Sequence, residues 1–225
     1  FLQEALVTVL EPVAEAGSRG FSLLPDSALL GLKRAVFRSA VGSDEGKNYR
    51  WQLEKKYGET GGAVLRRSVI LSEPANLYGN RDPKASEILQ EYFIPKHQLA
   101  GFLERMRQIH QQGDCPDLLN ITVRNVRTDH TTVLRYAREE VFGLVMLFHQ
   151  RIGSTEQEAQ MTRYAQRMVD AALASGGTYY LPYRLHARQD QFERAYPMAR
   201  QFFALKRRYD SQGLFQNQFY QRYSR

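Results

Sequence analysis

Apolar and polar positions along the second half of the chain follow two different periods. Alternation over residues 118–127 predicts a β-strand, and a period of about 3.6 over residues 97–112 predicts an amphipathic helix. The same patterns predict strands at 88–95, 140–149 and 178–183 and a long helix at 154–175 with Ser154 as its N-cap. The order is β-α-β-β-α-β. We therefore expect an α+β fold, with an antiparallel sheet that contains a ferredoxin-like unit and helices on one face.

The flanking regions have a less regular pattern. It predicts strands at residues 3–10 and 64–72, helices at 27–37 and 44–57, and a largely helical stretch at 189–209. These elements divide the chain into three expected parts: an N-terminal part at 1–86, a ferredoxin-like core at 87–188 and a C-terminal helical segment at 189–225.

Two of the predicted strands differ in the polarity of their faces. In residues 119–127, apolar side chains alternate with Asn120, Thr122 and Arg124, which indicates one face toward the helices and one open, polar face. Residues 140–149 are apolar on both faces, so another domain, a partner or an apolar ligand should cover the open side. A guanidinium on that side suits the binding of an anion or the polarisation of an oxygen. A solvent-exposed arginine on an uncovered sheet is the alternative.

Composition narrows the class of protein. The 225 residues are 43% hydrophobic and 24% charged, as in soluble globular proteins, and lack a run of about 18 apolar residues that would predict a membrane span. The net charge of +7 permits binding to anions without requiring it. A single cysteine, Cys115, excludes an internal disulfide, and the histidines lack metal-ligand spacing. We expect a cytoplasmic protein without a metal site.

Several segments, in order along the chain, carry a resemblance to a known family. They are Glu91-Tyr92-Phe93-Ile94-Pro95, Ile121-Thr122-Val123-Arg124-Asn125-Val126, Gly176-Gly177-Thr178-Tyr179-Tyr180-Leu181 up to Tyr196-Pro197, and Leu205-Lys206-Arg207-Arg208-Tyr209-Asp210 with Leu214-Phe215-Gln216-Asn217-Gln218-Phe219. Together they resemble the cap domain of flavin-linked oxidoreductases of the vanillyl-alcohol oxidase type, in the branch of the alditol, aldonolactone and decaprenylphosphoryl-ribose oxidases.

The resemblance implies a function and its partners. In that family the cap sheet roofs the isoalloxazine ring of FAD, which an upstream FAD-binding domain holds, and the enzyme oxidises an alcohol. The chain has no initiator methionine, so we expect a piece of a longer protein that binds no flavin by itself. Its expected partners are that upstream domain and a small-molecule or lipid-linked alcohol, with no nucleic acid and no transmembrane segment. Dimerisation of the fragment and a place at the periphery of the inner membrane are further expectations.

The resemblance also implies site residues. Arg124 falls where the family places a basic residue that faces the flavin, and Glu91 and Tyr183 complete the expected catalytic set. Glu91 would orient the arginine or accept a proton, and Tyr183 would donate a hydrogen bond. Tyr180 and Asn217 are the expected cofactor-binding residues, with Asn217 holding the C-terminal segment against the flavin.

Three positions depart from the family pattern. Tyr183 stands where relatives often carry an active-site lysine, Thr122 where the alditol oxidase branch has a glutamate, and Val145 where relatives have a polar residue facing the flavin. The pocket should therefore be less polar than that of a sugar-alcohol oxidase, which favours a hydrophobic or lipid-linked alcohol over a sugar lactone. A relative that has lost its catalytic activity is the other interpretation.

Two alternatives come from other functional classes. A basic β-α-β-β-α-β unit is also typical of RNA-recognition domains, but residues 139–145 carry acid and a leucine where such a domain needs basic and aromatic side chains. A non-catalytic interaction domain would explain the apolar sheet face and leaves the C-terminal signature unexplained.

Overall fold

A computed structural model describes residues 4–7, 9, 11–12, 27–57 and 78–224. The chain divides into two compact units, one formed by Gln3–Pro83 and the other by Lys84–Arg225 with Phe1–Leu2. The larger unit contains the whole predicted ferredoxin-like order.

The N-terminal unit contains both helices predicted for it. Helix α1 covers Ser27–Ser39 and helix α2 covers Asp44–Tyr57. Phe37 on α1 is almost fully buried, and the Arg50 guanidinium of α2 lies 4.5 Å from the centre of its ring. A cation over an aromatic face is attracted by the ring quadrupole, so this contact helps to hold the helix pair together.

The strand predicted at residues 3–10 is wrong where the structure describes it. Residues 4–7 and 9 lie outside any strand, and Glu4 instead accepts a hydrogen bond of 2.7 Å from the Trp51 indole. A single extended segment is unstable unless a neighbouring strand pairs with it, and no described residue of this unit supplies one. The rest of that prediction, and the strand predicted at 64–72, lie outside the described residues.

The larger unit has the predicted β-α-β-β-α-β order. Its strands are β1 (Ala85–Pro95), β2 (Asp117–Val126), β3 (Val141–Arg151) and β4 (Thr178–Tyr179), and its crossing helices are α3 (Leu99–Gln111) and α4 (Thr155–Ala174). All neighbours are antiparallel, and the sheet order is β2-β3-β1-β4. The α+β class and the ferredoxin-like unit are therefore confirmed.

One face of the sheet packs against α3 and α4 and forms the main core. Tyr92, Leu144 and Phe148 from the strands meet Met106 of α3 and Tyr164 of α4, and all five are fully buried. The start of α4 is fixed as predicted, because the Ser154 hydroxyl accepts a hydrogen bond from the Gln157 amide.

The C-terminal stretch is helical, with a break at Pro197. It forms α5 (Gln189–Ala195), α6 (Ala199–Tyr209) and α7 (Gln218–Tyr223), whereas the pattern had predicted one largely helical run. Phe192 of α5 stacks on Tyr223 of α7 at 4.5 Å, which joins this stretch to the main core. Among the described helices, none is both long and apolar enough to cross a membrane.

The last strand is shorter than predicted. Pairing with β1 is limited to Thr178 and Tyr179, followed by one hydrogen bond of 2.9 Å from the Tyr180 amide to the Glu91 carbonyl. Pro182 has no amide hydrogen to extend the ladder, and the chain turns there. Tyr180 and Tyr183 therefore lie after the strand, and their predicted positions on it are wrong.

Candidate active site

The face of the sheet turned away from α3 and α4, here called the open face, carries two rows of side chains across three strands. In the first row Glu91 of β1 pairs with Val145 of β3, which pairs with Thr122 of β2. Directly paired residues of antiparallel strands project to the same side of the sheet. The carboxyl of this row therefore stands beside an apolar neighbour.

The second row contains the predicted basic residue. Phe93 of β1 pairs with Gly143 of β3, which pairs with Arg124 of β2. Arg124 is exposed, and Gly143 leaves the middle of the row without a side chain. Glu91 and Arg124 thus lie on the same face, in adjacent rows, with Gly143 and Val145 between them.

Glu91 is buried, with 8% of its surface exposed. Burial raises the pKa of its carboxyl, and the nearby Arg124 guanidinium opposes that rise. No described residue donates a hydrogen bond to this carboxylate. Further along the same strand, by contrast, the Glu87 carboxylate lies 3.1 Å from a ring nitrogen of His149. Glu91 is therefore a carboxyl that is prepared to accept a proton.

Tyr183 lies in the same cluster although it is not on a strand. Burial raises the pKa of its phenol, with the negative charge of Glu91 as the next cause. Its ring contacts Tyr180 edge to face at 5.0 Å. The structure therefore brings together Arg124, Glu91, Tyr183 and Tyr180, which the sequence had proposed as site residues.

The loop between β2 and β3 adds an aromatic residue that the sequence analysis missed. Tyr136 stacks on Phe93 with ring centres 4.1 Å apart and meets Tyr180 edge to face at 5.7 Å. Its backbone carbonyl accepts a hydrogen bond of 2.8 Å from the Thr178 hydroxyl, which ties the loop to β4. Residues 140–149 were expected to be covered on their open side by another molecule or domain. Part of that cover comes from the chain itself, because Val141 packs in a cluster with Phe93 and Tyr136.

Asn217 lies at the start of α7, where its side-chain oxygen accepts a hydrogen bond of 2.8 Å from the Tyr220 amide. This contact is an N-cap, and it does not join Asn217 to the open-face cluster. Its neighbour Gln218 lines a groove of about 700 Å³ that also includes Tyr183 and Leu89. The C-terminal segment is thereby linked to the edge of the cluster through Gln218.

The cluster has the groups that acid–base chemistry requires. Among the described residues, no group of three or more His, Cys, Asp and Glu side chains is arranged to hold a metal ion. The cluster combines a proton acceptor, an exposed guanidinium and phenols that can donate hydrogen bonds.

A comparison with models of protein families identifies one family. A family model described as ALO, D-arabinono-1,4-lactone oxidase, matches residues 71–223, which is more than half of the chain and includes every residue of the cluster. No curated protein matches the chain.

Proposed function

Since the chain belongs to the D-arabinono-1,4-lactone oxidase family of oxidoreductases, we propose that it is the substrate-binding cap of an FAD-dependent enzyme that oxidises an alcohol. The observation that supports this most directly is the open face, where a buried carboxyl of raised pKa lies near an exposed guanidinium. In this proposal FAD is held mainly by an upstream domain, and the cap supplies the groups that orient the alcohol.

Each residue of the cluster has a proposed role. Arg124 binds the substrate oxygen and stabilises the negative charge that develops there as the hydroxyl loses its proton. Glu91 accepts that proton, because its raised pKa makes it a better base than an exposed carboxylate. Tyr183 donates a hydrogen bond to the same oxygen.

The open face is also suited to the flat ring of a flavin. Gly143 has no side chain and Val145 has a short one, so no long side chain rises from the middle of β3 on this face. A flavin would meet the Phe93 ring and the Glu91 carboxylate that lie over Gly143. Tyr180 at the margin, and the C-terminal segment that Asn217 caps, are proposed to contact the cofactor. When bound, the flavin would supply the acceptor for the hydride of the alcohol carbon.

The surroundings of the cluster favour a substrate that is not strongly polar. Val145 adjoins Glu91, and Phe93, Tyr136 and Tyr180 form an aromatic wall. We therefore propose a hydrophobic or lipid-linked alcohol in preference to a sugar lactone. An RNA-recognition module would instead stack bases on aromatic residues at the sheet face, where β3 here offers Gly143 and Val145.

The test is anaerobic reduction of the flavin in the full-length enzyme by alcohols of graded polarity. Long-chain and isoprenoid alcohols are expected to reduce it with a higher kcat/KM than alditols or aldonolactones. Val145→Gln should move that preference about 10-fold toward the polar substrates. Leu147→Gln, two residues further along the same face, is the matched control. A failure of every alcohol to reduce the flavin would contradict the function, and a preference for alditols would contradict the substrate class.

A further inference from the structure

Gly143 occupies the centre of the open face, and the space above it is already filled. A Cβ atom placed there would lie 3.2 Å from a carboxylate oxygen of Glu91 and 3.2 Å from the edge of the Phe93 ring. Both separations are tighter than ordinary contacts of a Cβ atom, so the neighbouring groups would have to move by a few tenths of an ångström. The side chains of Glu91 and Phe93 therefore occupy the space that a side chain at Gly143 would need.

The backbone does not require glycine at this position. Positive φ angles occur at other described glycines, such as Gly113 and Gly153, and Gly143 is not among them. A glycine inside a central strand weakens it, because it has no side chain to pack. Close approach of neighbouring groups is the remaining physical reason for glycine here.

The geometry shows which groups approach. Glu91 is paired with Val145, one row away, so a carboxylate oxygen above Gly143 means that the side chain leans diagonally across the sheet. Arg124 of β2 is the direct cross-strand partner of Gly143, on the side of β3 away from β1. A side chain at this position would therefore stand between the carboxylate and the guanidinium.

We propose that Gly143 is a positioning residue, whose missing side chain allows the Glu91 carboxylate and the Arg124 guanidinium to act on each other across β3. The catalytic importance of this electrostatic interaction rests on the proposed function. The interaction itself belongs to the chain and can be measured without flavin or substrate.

The experiment follows the Glu91 carboxyl carbon by NMR while the pH is varied, in the 225-residue chain. Arg124→Met should raise the pKa of Glu91 in the parent chain, because a nearby positive charge is lost. In the Gly143→Val background, Arg124→Met should shift the pKa of Glu91 only slightly. In the Gly143→Ala background, the shift should be smaller than in the parent chain. Gly101→Ala, at an exposed position on α3, is the matched control. In that background Arg124→Met should shift the pKa of Glu91 as much as in the parent chain.

The rival explanation is that Gly143 only makes room for the Phe93 ring. In that case Phe93→Leu, added to Gly143→Val, should restore the full shift on Arg124→Met, and that restoration would overturn the proposal. A full shift in both Gly143 variants, or none in the parent chain, would overturn it as well. If Gly143→Val does not fold, the Gly143→Ala result decides, because its neighbours need move only slightly.

Two measurements separate the positioning role of Gly143 from the catalytic role of Arg124. If Gly143→Val abolishes the pKa shift of Glu91 but Arg124→Met leaves the oxidation of alcohols unchanged in the full-length enzyme, Gly143 has the positioning role and Arg124 lacks the catalytic one. If Arg124→Met abolishes oxidation while the pKa shift is unchanged in Gly143→Val, Arg124 has the catalytic role and Gly143 lacks the positioning one.

Discussion

On one face of the sheet, Tyr92, Leu144 and Phe148 are enclosed by the chain's own helices, whereas the other face carries the Glu91 carboxyl and the exposed Arg124 on either side of β3. The same strands build both faces, because alternate residues project to opposite sides. The enclosed face gains free energy from apolar burial. The open face holds a buried carboxyl whose ionisation burial opposes. Packing therefore explains the first face, and the second requires a reason other than stability.

The largest effect is expected on the enclosed face. Phe148→Ala should lower the free energy of unfolding by about 3–5 kcal/mol, because it removes a fully buried ring and leaves a cavity. Denaturant unfolding of the chain measures this loss. Phe215→Ala, at a ring that is 78% exposed, is the matched control and should change stability by less than about 0.5 kcal/mol. Equal losses at the two positions would remove the energetic basis of the comparison.

Loss of the exposed cation of the open face should affect activity far more than stability. In the proposed FAD-dependent enzyme, Arg124→Met should raise the activation barrier by about 2–4 kcal/mol, the effect of losing one electrostatic group that stabilises the transition state. Its melting temperature should change little, because the side chain is exposed. Steady-state kinetics with the preferred alcohol measures the first effect. Arg207→Met, at an exposed position on α6, removes a charge elsewhere. A similar loss of activity in that control would make the Arg124 effect nonspecific.

Removing the hydroxyl group from each of two buried tyrosines should have smaller effects on stability, and the two effects should differ in sign. The Tyr92 hydroxyl is buried without a hydrogen-bond partner among the described residues, whereas the Tyr196 hydroxyl donates to the Tyr179 carbonyl. Tyr92→Phe should therefore raise the free energy of unfolding by about 1 kcal/mol, and Tyr196→Phe should lower it by about the same amount. If Tyr92→Phe destabilises the chain, its hydroxyl has a partner, and the enclosed face is not purely a packing surface.

Local patterns in the sequence were enough to predict the ferredoxin-like unit. The period-two and helical-period segments gave the order of β1 to α4, and Ser154 marked the start of α4 because an N-cap depends on only a few neighbouring residues. The same alternation placed Arg124 on the open face. These features depend on contacts close in sequence or on the geometry of a single strand.

What local patterns could not predict depends on long-range pairing. The ladder of β4 ends early at Tyr180, although Pro182 in the sequence was a signal for that end. Tyr136 reaches Phe93 from the loop between β2 and β3, and its apolar neighbours Val133 and Leu134 in an otherwise polar loop were the available sign. The contact of Glu91 with the space above Gly143 depends on the register of two strands, which no local pattern fixes.

The smallest predicted effect concerns the ionisation of Glu91 and depends on pH. Its pKa in the folded chain is raised above the ordinary value of 4.5, mainly by burial. The protonated form therefore favours folding at low pH, and that contribution is lost as the pH rises through the raised pKa. Glu91→Gln removes the ionisation, so it should stabilise the chain at pH 7. The gain should shrink as the pH falls toward about 4.5, as measured by denaturant unfolding across that range.

Glu140→Gln is the control that should behave in the opposite way. Lys96 donates a hydrogen bond of 2.7 Å to Glu140 and lowers the pKa of that carboxyl, so its charged form favours folding. This substitution should cost stability at pH 7, and the cost should disappear as the pH falls through the lowered pKa. If Glu91→Gln followed the same course as Glu140→Gln, ionised Glu91 would be a stabilising group. The open face would then be held together by its charges as the enclosed face is by its packing.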